Sequence, residues 1–333
     1  MMLENLMNKD CKVILVAGSS GYIGKKLVKK LRAEGHRIIC PVREIKNGSG
    51  LTKLQSGVEY RKIDVCNKAD VEKLFIDYPI IDNVISCIAS RSGGLKDSWA
   101  VEFHANNNLL DLAIKKSSTH FILLSAICVQ KPRLIFQKAK LAFERRLIRS
   151  EITYTIIRPT AFFKSISGQI ERIKRGKSFI VFGNGLQTAC KPISERDLIF
   201  YIFDSLTNAS LRNRILPIGG PGDAITPLDQ CQMIFDLLEK DTKIIKIPSF
   251  IFIILNLLLA PLAKFSQKID DVRELMKIAH YYATESMLVW DKDNNRYDPK
   301  LTPETGKDTI KEFYKKRLDG TLKADNLHNQ KIF

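Results

Sequence analysis

The stretch that decides the fold is Val13-Ile14-Leu15-Val16-Ala17-Gly18-Ser19-Ser20-Gly21-Tyr22-Ile23-Gly24. A continuous β-branched run feeds straight into three glycines spaced three apart. An apolar segment with helical period follows, to Ala33. Strand, tight turn and helix N-terminus, in that order, make a phosphate cradle; glycine spacing without that context is a weak signal. Gly18 can take the turn geometry, Gly21 lets backbone approach a pyrophosphate, and Gly24 allows close helix–strand packing. The helix N-terminus adds N–H donors and the positive end of a dipole. Gly18, Ser20, Gly21, Tyr22, Ile23 and Gly24 are therefore the expected contacts.

Working outward, the same rhythm fills the first half of the chain. Strands are expected at 37–42, 58–63, 82–88, 120–125 and 154–158. Helices are expected at 69–77, at about 99–115 and at about 134–149. Nearly continuous apolar strands alternating with helices predict a parallel sheet covered on both faces. The fold class is therefore α/β, a doubly wound parallel sheet of Rossmann type. After Thr160 short strands (178–182, 214–218, 243–247) mix with helices. This divides the chain into a dinucleotide-binding domain over 10–160 and a smaller mixed α/β substrate-binding cap over 161–325, interleaved with the sheet.

The second expected strand ends in Pro41-Val42-Arg43-Glu44. An acid at this place serves a ribose 2′-hydroxyl, whereas an arginine accommodates a 2′-phosphate. Arg43 favours NADPH over NADH; Glu44, one residue on, pulls the other way, and Lys46 could assist the phosphate. The GxxGxxG spacing is that of short-chain dehydrogenases, and Asp64-Val65 resembles their adenine-contacting position. A turn-initiating aspartate reads equally well there.

Lys and Arg total 53 against 36 Asp and Glu, a net charge of +17. The excess is dispersed, without a run of five basic residues or a basic–aromatic interleave, which argues against nucleic acid. Phosphate-bearing cofactors and anionic membrane surfaces remain as partners. Seven cysteines at irregular spacing argue against a disulfide framework and against zinc. About ten residues precede the first strand, which argues against a cleavable leader in the chain as given. The most apolar stretch, 247–265, is broken by Asn256 and Pro261 and is short for a membrane span. It is expected as a buried helix. The alternatives are a hydrophobic wall for a flat substrate, or a helix in a bilayer interface flanked by Lys264 and Lys268.

Catalysis in the short-chain dehydrogenases uses a serine and a YxxxK pair, the lysine lowering the tyrosine pKa for proton transfer. This chain has Ser125 at a strand end and Lys140 on the following helix, but Phe136 stands four residues before Lys140. Phenylalanine carries no transferable proton, so tyrosine-driven carbonyl reduction is excluded. Two readings remain: NADPH binding without chemistry, as an assembly subunit of a membrane complex, or reduction of a C=C bond whose developing charge spreads over a large π-system.

The run Phe121-Ile-Leu-Leu-Ser-Ala-Ile-Cys-Val-Gln-Lys-Pro-Arg-Leu-Ile-Phe-Gln-Lys-Ala-Lys-Leu-Ala-Phe-Glu144 resembles the signature of divinyl chlorophyllide 8-vinyl reductases. The glycine loop, Arg43 and Ile157-Arg158-Pro159-Thr160-Ala-Phe-Phe163 are similar to the same family, whose pattern also has Phe in place of Tyr. The resemblance implies NADPH-dependent reduction of the 8-vinyl group of divinyl chlorophyllide a to ethyl, in chlorophyll or bacteriochlorophyll synthesis. It also implies Lys140 and Ser125 as catalytic residues, with Lys140 on the nicotinamide ribose. Pro159 and Thr160 would line the nicotinamide pocket, and Cys87, Ile88 and Ala89 would pass beside the adenosine ribose. The substrate is flat and apolar with a free propionate, which 250–262 with cations at its rim would suit. Tyr154, His104, His280 and Tyr281 are candidate proton donors. The expected setting is a bacterial cytoplasm, peripheral to a photosynthetic membrane, or a chloroplast. Another NADPH-dependent C=C reductase, of isoflavone-reductase type, is the remaining enzyme alternative.

Overall fold

The computed structural model describes residues 11–45, 57–263 and 265–322. In chain order the elements are β1 (Val13–Ala17), α1 (Tyr22–Ala33), β2 (Arg37–Val42), β3 (Val58–Lys62), α2 (Lys68–Asp77), β4 (Asn83–Ser86) and α3 (Leu95–Ser98). A π-helix (Trp99–Ala105) runs into α4 (Asn106–Lys115), followed by β5 (His120–Leu124), α5 (Ile135–Ile148) and β6 (Tyr154–Pro159). The second half holds α6 (Ile170–Lys174), β7 (Phe179–Phe182), α7 (Glu195–Asp204), β8 (Arg214–Ile218), α8 (Pro227–Leu237) and β9 (Ile244–Ile247). The chain continues with α9 (Ile251–Ala263), α10 (Gln267–Thr284), β10 (Val289–Asp291), β11 (Arg296–Asp298) and α11 (Ile310–Leu318).

Seven strands form one sheet in the order β3-β2-β1-β4-β5-β6-β8, every pairing parallel. Because side chains alternate along a strand, β1 divides its residues between two cores. Ile14 and Val16 face α1 and α7, packing with Leu27, Leu31, Ile38, Leu198 and Ile202. Leu15 and Ala17 face the helices on the other side, among Leu109, Phe121, Phe143 and Leu147. Both faces of β1 are buried, which is why an inner strand such as Val13–Ala17 reads as an unbroken apolar run, whereas the edge strand β3 (Val58–Lys62) does not. The strand order reverses beside β1, so the crevice at the carboxyl ends of β1 and β4 is the topological switch point.

A third apolar core gathers Phe163, Ile173, Phe179, Val181, Phe235, Ile310 and Tyr314 from the second half of the chain. β8 and α7 nevertheless return to the first-half layers. β7 pairs in parallel with β9 in a separate small sheet.

Two expectations are corrected here. The helix expected as one piece over 99–115 is a seven-residue π-helix followed by an α-helix. The apolar stretch expected to be buried is helical, but its side chains are largely exposed. Phe252 is the buried member, its ring 4.7 Å from the Phe182 ring and tilted by 48° to it, while Leu257 and Leu258 are 64% and 66% exposed. The cause lies in a helix that is apolar on all sides while α10 covers only one of them. Among the described residues no helix is long and apolar enough to cross a membrane. Lys264 lies outside the described residues.

Candidate active site

The glycine loop closes on both its own helix and the end of β4. Gly18 has φ +82°, and a Cβ there would lie 2.7 Å from the carbonyl carbon and oxygen of Cys87. A Cβ on Gly24 would lie 2.1 Å from the Gly18 carbonyl oxygen. Only glycine fits either place. Helix α1 starts at Gly21, which has no side chain to cap it, and its first turn contains no acid. Its dipole therefore meets no counter-charge from its own first turn. Bare backbone in front of an uncapped helix N-terminus fits a pyrophosphate. Ser20 and Gly21 are exposed at the crest. Tyr22 follows, with the Lys164 ammonium 4.0 Å from its ring centre. Ile23 is buried in the core and offers backbone alone.

On the far side of β1, Arg43 is exposed just past the end of β2. Asp64 makes a turn, its carboxylate accepting from the Cys66 N–H at 3.0 Å, so the turn reading of this residue is realised. The Cys66 thiol is pushed up to about 11, first by burial and then by Asp64, while Arg43 opposes them. Arg43 and Asp64 thus both act on the Cys66 thiol, just past the ends of β2 and β3. The Val65 carbonyl accepts from Asn108 at 3.0 Å. Lys46 lies outside the described residues.

The motif residues on α5 meet partners the sequence did not announce. The Lys140 ammonium is 2.7 Å from a Glu102 carboxylate oxygen, and both residues are withdrawn from water, at 9% and 1% exposure. The other Glu102 oxygen accepts from the Ser90 N–H at 2.8 Å and from its hydroxyl at 3.1 Å. Glu102 reaches inward from the π-helix. Asn106 anchors that helix, donating to the Glu102 carbonyl at 2.9 Å and accepting from the Ser86 hydroxyl at 2.6 Å. Lys140 also lies within electrostatic reach of Cys87, whose thiol burial pushes up to about 12 against the pull of that ammonium. Gly18, Cys87 and Lys140 are thereby brought to one place.

Ser125 goes to a different acid, its hydroxyl donating to Glu144 at 2.5 Å. Glu144 is buried and ion-paired with Arg158. Phe136, Lys140 and Glu144 are spaced by four and share one face of α5. That spacing could have revealed Glu144. Glu102 had no such signal, because a 3.6-residue period does not describe a π-helix. At the end of β6, Thr160 donates from its N–H to the Ile218 carbonyl at 2.9 Å and from its hydroxyl to the Lys191 carbonyl. Pro159 is buried beside it.

Phe136 and Tyr282, both partly buried, pack against a cluster of Cys128, Leu134, Ile278 and Tyr281. Tyr281 is committed to the backbone, donating to the Cys128 carbonyl at 2.9 Å. Burial raises the pKa of both phenols. Tyr154 begins β6, at the end of the sheet opposite the glycine loop, so it is set aside as a proton donor. His104 is exposed on the π-helix. His280 lines a cleft between α9 and α10 with Arg133, Leu134, Phe252, Asn256 and Lys277.

This fold and cradle define a nicotinamide-dinucleotide-binding protein of the short-chain dehydrogenase type. Residues 18–186 match the NAD(P)H-binding family model. The chain is 43% identical, over 96% of its length and 79% of the relative's, to the divinyl chlorophyllide a 8-vinyl-reductase, chloroplastic, of Cucumis sativus. The Arabidopsis thaliana protein of the same name is 41% identical, over 98% of this chain and 81% of its own. The chain belongs to the divinyl chlorophyllide a 8-vinyl-reductase family. A UDP-glucose 4-epimerase of Thermotoga maritima shares the fold, with a TM-score of 0.65 at 16% identity over 92% of this chain and 97% of that one.

The cradle makes its own prediction. Gly24→Ala forces a methyl against backbone that cannot yield, so NADPH binding followed by fluorescence titration should be lost or weakened by about a hundredfold or more, a misplacement cost of the kind seen at active sites. Unchanged affinity would place the cofactor elsewhere.

Proposed function

We infer that this chain reduces the 8-vinyl group of divinyl chlorophyllide a to ethyl, with NADPH as reductant. The observation that carries this reading is Phe136. An apolar ring, packed in an apolar cluster, stands one helical turn before Lys140, where carbonyl-reducing relatives of the wider superfamily need a phenol. Hydride and proton add across the double bond, and the intervening negative charge spreads over the conjugated macrocycle. That charge needs far less local stabilisation than an alkoxide.

When bound, the reduced nicotinamide cofactor supplies the hydride. The chain's own residues bind and orient. Gly18, Ser20, Gly21, Tyr22, Ile23 and Gly24 take the pyrophosphate, and Arg43 takes the 2′-phosphate. Asp64 and Val65 border the adenine, while Cys87, Ile88 and Ala89 border its ribose. Pro159 and Thr160 shape the nicotinamide end, and Lys140 holds the ribose there. Ser125, with its proton committed to Glu144, offers oxygen lone pairs at the nicotinamide edge.

The substrate face we propose is the cleft between α9 and α10. Its volume is about 210 Å3, room for the edge of a macrocycle whose plane then lies along the apolar wall. Arg133, paired with Glu285, and Lys277, paired with Glu274, stand with His280 at the same cleft and are the cations we assign to the free propionate. Phe252 and Asn256 face this cleft. Ile254, Leu257, Leu258 and Leu262 are exposed, and Lys243, Lys246 and Lys268 stand exposed nearby. Apolar surface beside cationic groups matches an anionic membrane, so the enzyme works peripherally at a photosynthetic membrane. The setting is a chloroplast, as in the plant relatives, or the cytoplasm of a photosynthetic bacterium.

Incubation with NADPH and divinyl chlorophyllide a should shift the Soret band to the blue as the monovinyl product forms. Tight NADPH binding with no shift would favour a non-catalytic assembly subunit instead. The wild-type protein should sediment with anionic lipid vesicles, and the double change Leu257→Glu, Leu258→Glu should leave it in the supernatant without loss of NADPH binding. A wild-type protein that ignores vesicles would contradict the membrane assignment, and a concentration-dependent dimer would assign the face to a second copy.

A further inference from the structure

We propose that Glu102 is the positioning residue for Lys140, and through it for the nicotinamide half of the cofactor. The proposal rests on the reading of Lys140 as the ribose contact, given above. Three observations converge on it. Glu102 is almost wholly buried at 1% exposure, where a carboxylate is costly unless fully used. Its two oxygens are used, one by the Lys140 ammonium at 2.7 Å and the other by the N–H and hydroxyl of Ser90. Ser90 follows directly on Cys87, Ile88 and Ala89, so this one side chain ties the loop beneath the cofactor to the lysine beside it.

The backbone is adapted to deliver that carboxylate. A π-helix widens the turn over Trp99–Ala105, and such segments cluster at functional sites. The Asn106 side chain satisfies the Glu102 carbonyl, and the end of β4 holds Asn106 through Ser86. A second carboxylate, Asp97, accepts from the N–H groups of Arg91 and Ser92 at 2.7 and 2.9 Å, so the loop is held along its length. The phenol that would otherwise share this lysine is absent, because Phe136 takes its place. Glu102 is the anion that remains to fix the direction of the Lys140 ammonium.

Cofactor fragments separate a positioning role from a merely structural one. 2′,5′-ADP carries the adenosine and its phosphates but lacks the nicotinamide ribose. Glu102→Gln should raise the NADPH Kd about tenfold, the loss of one charge-assisted hydrogen bond, and leave the 2′,5′-ADP Kd within about twofold. Lys140→Gln should show the same split, and the double variant should bind NADPH no more weakly than Lys140→Gln alone. Parallel weakening of both ligands, strict additivity in the double variant, or an unchanged NADPH Kd in Glu102→Gln would overturn the proposal. An unchanged NADPH Kd in Lys140→Gln would instead sink the ribose assignment on which it rests. Binding of 2′,5′-ADP also reports that the variant is folded. If Glu102→Gln does not fold, Glu102→Asp, shorter by one methylene, must give the same split or the proposal fails. No chlorophyllide enters these titrations, so their outcome is independent of the vinyl-reduction assay.

Discussion

A lysine held at 9% exposure beside the end of a parallel sheet requires a counter-charge, and the site is organised around that requirement. Lys140 has it in Glu102, and Glu102 in turn binds the loop that follows β4. The same logic is repeated one helical turn further along α5. Glu144 is buried, takes the Ser125 hydroxyl and is paired with Arg158. Breaking either pair would leave an uncompensated charge in a closed environment, which costs about 3–5 kcal/mol in proteins generally. These pairs carry little net stability and much positional constraint. They hold two side chains from one motif against two separate strand ends.

That arrangement bears on the chemistry. In carbonyl reduction a phenol next to the lysine supplies the proton, and the lysine serves the phenol. Here the neighbouring position is apolar, and the lysine is paired with a carboxylate. A site built this way can hold and orient a nicotinamide cofactor, but at position 136 it offers no proton. A substrate that delocalises charge over its own π-system removes the need for one there. The absence of the tyrosine and the presence of the buried glutamates are consistent parts of one design.

Much of this was legible in the sequence. The bounds of Arg37–Val42 and Arg214–Ile218 follow from apolar runs between turn signals, and in the inner strand Arg37–Val42 every residue after Arg37 is buried, as a doubly covered sheet demands. Gly18 and Gly24 could be assigned from their place between strand and helix, and the clash distances give the steric reason. What was not legible has physical causes. Hydropathy reports how apolar α9 is but not how much of it a neighbour covers, and α10 leaves most of it open. Periodicity assumes 3.6 residues per turn, so the π-helix and the inward turn of Glu102 left no trace. Asp64 illustrates a third limit, since the residue type suits both a ligand and a turn, and the turn is present.

The most direct test of the central claim restores the missing phenol. In single-turnover reduction of divinyl chlorophyllide a with saturating NADPH, Phe136→Tyr should proceed within about threefold of the wild-type rate, because no acid is needed at that position. General acid catalysis typically contributes about a hundredfold or more. A gain of that size would show that the proton had been limiting and would contradict the account.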